Sequence, residues 1–341
     1  MNNNQHLIRA ARISLAMLIG FIYVRVVCVN DGIWVLMTCA IVLFDNSTVG
    51  GAIAKGYYRM LGTILAAVYS ILVVVVFANS TIANIIAIIT SVFFAAYYFM
   101  DTKKAYIGGL IAWTTPIMLL NSHNLSSIFI RPLNILIGII ISYFVQRFFY
   151  PEYAKNTVLN SFSGLIAKAN ILLNHTLDNK ILSKTEKLAL EEMEVGVVAT
   201  INKASKLIDE TNTELPKVLE YGKICSDLVT HLRRIFKFIV VFSHQLDDTI
   251  IIMSPELRLV IKNIALILDK MHEHLNCNIN HYHLAKDFSE IKNILHELEN
   301  KQFITCLNEE ILLPQIIVKE LDLVYILMLQ LFKIRQQYKM Y

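Results

Sequence analysis

From Met60 to Met100 the chain runs 41 residues without a charged side chain, interrupted only by the polar triplet Asn79-Ser80-Thr81. The triplet leaves an apolar run of 19 residues on either side. At about 1.5 Å of rise per residue, each run makes a helix close to one bilayer core in length. A charged side chain at the bilayer centre costs roughly 2.5–3.5 kcal/mol, so a desert of this length marks hydrocarbon as the solvent. The same pattern predicts six spans in the first 150 residues, near Ile8–Val29, Ile33–Phe44, Met60–Ala78, Ile82–Met100, Tyr106–Leu120 and Ile130–Phe149. The second, at 12 residues, is too short to cross alone. It would have to continue into the polar segment Asp45–Gly56, which needs that segment to pack against protein or line a wet cavity.

After Pro151 the period changes to that of amphipathic helices, expected over Glu152–Leu177, Lys184–Thr211, Leu215–Leu246, Glu256–Cys277, His283–Asn300 and Pro314–Tyr338. Breaks fall at Asp178-Asn179, between Asn212 and Pro216, at Ser254-Pro255 and at Pro314. Nothing alternates like a strand. The last helix carries an apolar stretch, but Lys319, Glu320, Asp322 and Lys333 leave only ten uncharged residues between them, which fits a buried bundle helix rather than a seventh span. The expected fold is therefore all-α: a six-helix transmembrane domain over residues 1–150 and a cytosolic α-helical domain over 151–341.

Charge sharpens this division. Of 58 charged residues, 12 lie in the first 150 positions, nine basic and three acidic, while the remainder carries 22 basic and 24 acidic. At the loops, Arg9, Arg12, Lys55, Arg59, Lys103, Lys104, Arg147 and Lys155 fall on one side and Arg25 and Arg131 on the other, which places both termini in the cytoplasm of a multi-pass inner-membrane protein. The basic excess is topology and not a nucleic-acid surface. The first span is followed by no small-residue cleavage site. The five cysteines form no CxxC pair, consistent with a reducing cytosol.

The most specific stretch is Trp34–Thr63, reading WVLMTCAIVLFDNSTVGGAIAKGYYRMLGT. Trp34, Thr38, Ile41 and Asp45 are spaced to share one helix face, with a ring at the outer interface and a carboxylate at the inner end. Lys55, Arg59 and Gly62 share a face of the next helix and offer two cations at the cytoplasmic entrance, suited to a carboxylate substrate. The same two cations also satisfy the positive-inside rule, and Asp45 can simply pair with one of them. Gly62 with Ala66, and Gly108 with Ala112, follow the spacing that lets helix backbones approach closely. In the sixth span Asn134, Gly138, Ser142 and Gln146 recur every four residues below Arg131, a polar stripe that either bonds neighbouring helices or lines a path. Thr114-Thr115-Pro116 either kinks the fifth span or unwinds it to free carbonyls.

This stretch resembles the membrane segment of the aromatic acid exporter and fusaric acid resistance (FUSC-type) family, a superfamily that also takes in the plant aluminium-activated malate transporters. The matching residues are Trp34 and Thr38, a Gly50 or Gly51 turn, then Lys55, Arg59, Gly62 and Thr63. The plan of six spans followed by a helical domain matches over the whole chain, while the sequence-specific part covers about 30 residues. Two features depart from the family: the Pro often found after the second span is replaced by Asn46-Ser47-Thr48, and there is one membrane unit where many exporters have two. A single unit implies a homodimer.

The resemblance implies export of small organic anions, aromatic carboxylates in particular, along a path through Trp34, Thr38, Asp45, Lys55, Arg59, Thr63, Arg131 and Asn134, with a periplasmic adaptor beyond the membrane. Asp45 is the candidate for proton coupling. The alternatives are a passive anion channel of the malate-channel type gated by the cytosolic domain, and a membrane-anchored scaffold. His272, His274, Cys277, His281 and His283 lie within 12 residues, but His272 and His274 point to different helix faces and no metal is expected. No phosphate loop, nucleophile elbow or paired catalytic carboxylate is visible, so neither an enzyme nor a cofactor is expected.

Overall fold

A computed structural model describes residues 3–27, 30–77, 80–102, 104–120, 125–177, 184–216, 218–248, 255–276 and 312–338. Every element in them is an α-helix, and the chain divides into two compact units, Met1–Ala154 and Lys155–Tyr341.

The first unit holds α1 (Asn3–Val27), α2 (Ile33–Phe44), α3 (Val49–Phe77), α4 (Thr81–Phe99), α5 (Ala105–Leu120) and α6 (Leu125–Phe148). Among the described residues, four stretches are long and apolar enough to cross a membrane: His6–Val27, Val49–Phe77, Thr81–Phe99 and Ile128–Phe148. Helices α2 and α5 are apolar but shorter. α3 packs along α5 and α6, α2 along α6 and α1, and α4 along α5. Large apolar side chains face outward, among them Val75, Val76, Ile86, Phe93, Tyr97, Trp113 and Phe144. That is the distribution expected where lipid rather than water covers the surface.

The segment Asp45–Gly56 differs from the sequence expectation. Only Asp45–Thr48 is non-helical; α3 begins at Val49, well before the Met60 expected from hydropathy. Local hydrogen bonding explains the early start. Thr48 accepts the Gly51 N–H at its Oγ1 over 3.0 Å, an N-cap, while Asn46 Nδ2 donates to Val42 O and closes the end of α2. Gly50, Gly51 and Ala52 are then buried against protein. A Cβ at Gly56 would lie 2.8 Å from Ile139 Cγ2, so this turn needs glycine for its approach to α6. α5 stays helical through Pro116 and α6 through Pro132. The unwinding considered at Thr114-Thr115-Pro116 does not occur.

The second unit holds α7 (Ala154–Leu177), α8 (Lys184–Glu214), α9 (Leu219–Asp248), α10 (Pro255–Asn276) and α11 (Leu312–Gln337). The expected helix over 283–300 lies outside the described residues. α11 buries Ile317, Leu321, Val324, Met328 and Leu331 at helical spacing, chiefly against α9, and is not among the candidate spans. Near the start of α9, Tyr221 and Cys225 sit one turn apart, both fully buried. Burial pushes the Cys225 thiol up to about 12, against smaller opposing effects of its bond to Tyr221 and of Arg335.

Candidate functional site

Two arginines are buried inside the apolar unit, Arg59 at 4% exposure and Arg131 at 5%. Arg59 lies on α3, ten residues past its start, and faces the middle of α2. Its Nε donates to Thr38 Oγ1 at 3.0 Å and its Nη1 to the Tyr106 hydroxyl at 3.4 Å. Thr38 in turn donates to Trp34 O at 2.6 Å, and Thr63 donates to Arg59 O at 2.9 Å. One turn up α2 the Arg131 guanidinium stacks on the Trp34 ring, 3.4 Å from its centroid. Trp34 and Thr38 are about 6 Å apart along the helix axis. Two guanidiniums therefore flank one face of α2 on consecutive turns.

Neither cation is ion-paired to a carboxylate among the described residues. Arg131 makes no hydrogen bond there, and its Nε is fully enclosed. A buried charge without an ion pair is costly in protein or lipid, which sets these two arginines apart within the unit.

Lys55 and Asp45 form an ion pair where α2 ends and α3 begins, with Lys55 Nζ also 4.4 Å from the Tyr106 ring centroid. The two cations expected together at the entrance are thus divided: Lys55 stays at the rim and Arg59 sits a turn deeper. Asn134 does not face Arg59; its Nδ2 donates to Asn30 O at 2.9 Å and Asp31 O at 3.2 Å, holding the α1–α2 turn. The small residues are packing positions. A Cβ at Gly138 would lie 2.7 Å from both Thr38 Cβ and Val35 O, at Gly62 2.8 Å from Leu110 Cβ, and at Gly108 2.6 Å from Phe99 Cβ. Ala66 is fully buried and Ala112 half-buried.

The polar stripe on α6 bonds backbone: Ser142 donates to Gly138 O at 2.7 Å and Gln146 to Ser47 O at 2.6 Å. With them stands Arg12, a topology residue on sequence grounds and here 3% exposed, donating to Ser47 O, Gln146 Oε1 and Tyr150 O at 3.0, 3.1 and 2.5 Å. The sequence does carry a signal for it, since Arg12 falls four residues inside the expected first span. Tyr106, the second partner of Arg59, has no such signal. In the second unit His272 Nδ1 lies 2.9 Å from Ser163 Oγ and 3.0 Å from Ser163 O, and His274 is buried. Cys277, His281 and His283 lie outside the described residues.

Helices of this length and hydropathy define a multi-pass membrane protein, and a match to a family of membrane transporters gives it a transport role. Residues 10–248 match the Fusaric acid resistance protein family, and the chain belongs to that family. No curated protein sequence matches it.

Proposed function

We propose that the chain exports small organic anions, aromatic carboxylates in particular, across a bacterial inner membrane. The observation that carries this reading is the pair of buried guanidiniums, Arg59 and Arg131, on consecutive turns beside α2 without a carboxylate partner among the described residues. A carboxylate between them receives charge-assisted hydrogen bonds in a low-dielectric setting, where they are strongest. Trp34 and Tyr106 supply ring surface to an aromatic substrate, and Thr38 keeps Arg59 in register. In this reading residues 1–150 form six spans, the short α2 and α5 included, with both termini and the 151–341 helical domain in the cytoplasm. Two copies form the working dimer, and an adaptor carries the solute onward. Asp45, paired with Lys55 at the inner rim, is the acid assigned to proton coupling.

The test is efflux of radiolabelled benzoate from proteoliposomes holding the full chain. Arg59→Gln and Arg131→Gln are each expected to lose transport while Asn134→Ala keeps most of it. Wild-type rates in both arginine variants would sink the anion-site reading.

A further inference from the structure

At the end of the first unit where α1 begins and α6 ends, a cavity of about 300 Å³ is lined by Ile8, Arg9, Arg12, Tyr150, Pro151 and Glu152. The apolar stretch of α1 starts at His6, so this cavity lies where an apolar span meets the headgroup layer. Its chemistry is divided. Ile8, Pro151 and the ring of Tyr150 give apolar wall, and Arg9, Arg12 and Glu152 give charge. Two cations against one carboxylate leave a single positive charge, which matches a phosphodiester.

The donors are only partly used. Arg12 spends Nη1 on Ser47 O and Gln146 Oε1 and Nη2 on Tyr150 O. Its Nε–H is buried without an acceptor among the described residues, an uncommon state for a charged donor. Arg9, half-buried on the same helix face, makes no hydrogen bond or ion pair there. The far wall is held from two sides: Tyr150 adopts a left-handed φ of 48°, and its carbonyl is taken by Arg12. Glu152 O accepts the Val49 N–H at 2.9 Å, so the wall is also fixed to the start of α3.

We propose that this cavity binds a phosphate group, and specifically the phosphodiester of an anionic phospholipid. Arg9 is the contacting cation, with the Arg12 guanidinium adding its positive charge to the wall; Ile8, Tyr150 and Pro151 cover the glycerol and first acyl carbons. The apolar wall favours lipid over free phosphate, which shares the oxygen chemistry but has nothing to place there. The site uses no residue assigned to substrate, so it stands or falls apart from the transport reading.

The experiment uses the full chain, delipidated in mild detergent, with retained lipid read by native mass spectrometry and stability by thermal unfolding. Phosphatidylglycerol is expected to stay bound and raise the unfolding midpoint, with phosphatidylcholine weaker. Arg9→Gln is expected to lower the apparent affinity for phosphatidylglycerol about fivefold, the worth of one basic residue at an anionic headgroup. Glu152→Gln moves it the other way. Arg12 is left intact because it ties three segments of the fold. A midpoint shift from inorganic phosphate equal to that from phosphatidylglycerol would keep the phosphate site and assign it to the free ion. Equal retention of phosphatidylglycerol by the wild type, Arg9→Gln and Glu152→Gln overturns the proposal.

Discussion

The two units solve the problem of an interior in opposite ways. Among the described residues the first buries fourteen polar or charged side chains and the second only four, although the first is by far the more apolar sequence. In the second unit the familiar rule holds: Ile224, Leu228, Ile235 and Ile239 of α9 are buried with Leu321, Val324 and Leu331 of α11, and charges stay largely outside. In the first unit apolar side chains gain little by turning inward, since lipid is as apolar as they are. Hydrogen bonds and close backbone contacts hold the helices instead. Arg12, Asn134 and Gln146 end on backbone carbonyls of other segments, while Thr38 and Ser142 bond carbonyls of their own helices.

The sharpest probe of the second interior is Cys225. An unperturbed thiol titrates near 8.5, so a folded value of about 12 reduces the thiolate at pH 8 roughly a thousandfold. Alkylation of Cys225 by iodoacetamide, followed on its peptide by mass spectrometry, is expected to be slower by about that factor in the folded protein than in denaturant. Rates within tenfold of each other would remove the dry core. The linkage has a definite sign. A thiol whose value is raised on folding contributes stability that is present below its unfolded value and lost as pH rises from about 9 toward about 12. Tyr221, raised chiefly by burial and next by Cys225, acts in the same direction. The unfolding midpoint is expected to decline over that alkaline range.

In the first unit the corresponding probe is Arg59. If Arg59 assists a bound carboxylate as proposed, Arg59→Gln is expected to lower benzoate efflux roughly ten- to hundredfold. Arg59→Lys is expected to fall nearly as far, because an ammonium cannot serve Thr38 and Tyr106 together as the planar fork does. Retention of efflux by the lysine variant would reduce Arg59 to a generic positive charge.

Packing separates the units again. Gly138→Leu forces a side chain into Thr38 and the Val35 carbonyl, with an expected cost of about 1–3 kcal/mol in thermal unfolding. Gly164, in α7 of the second unit, has open space where a Cβ would stand, with nothing within 4 Å. Gly164→Ala is therefore expected to stabilise by about 0.5–1 kcal/mol through helix propensity alone. A neutral Gly138→Leu would mean that the α2–α6 contact is looser than its geometry.

Hydropathy makes the apolar helices legible because lipid imposes a composition that no local propensity can mask. Ile33–Phe44 has the same bounds in sequence and structure. The start of α3 escapes it because a hydropathy window weighs polarity, while Thr48 supplies a cap and the glycines supply contact, neither of which hydropathy registers. Arg59 is legible as a residue but misplaced in depth for the same reason: with α3 begun at Val49, it lies well inside the helix. The roles of Arg12 and Tyr106 are hidden because their partners come from segments 35 to 138 residues away, and spacing along one helix says nothing of those. Asn134 reads as path because a polar stripe looks alike whether it meets solute or backbone.

The smallest effect tests the rim of the first unit against its middle. Asp45 is about half exposed, at 53%, and its pair with Lys55 is of the kind worth roughly 0–1 kcal/mol. Asp45→Asn is therefore expected to shift unfolding by less than about 1 kcal/mol, whereas loss of a buried partner elsewhere in the unit costs more. Its transport phenotype is the informative part. If Asp45 carries the coupling proton, stimulation of efflux by a pH gradient disappears while exchange of labelled for unlabelled benzoate, which moves no net proton, continues. Stimulation that persists in Asp45→Asn leaves the pair as a clasp between α2 and α3 and limits the working charges of the unit to Arg59 and Arg131.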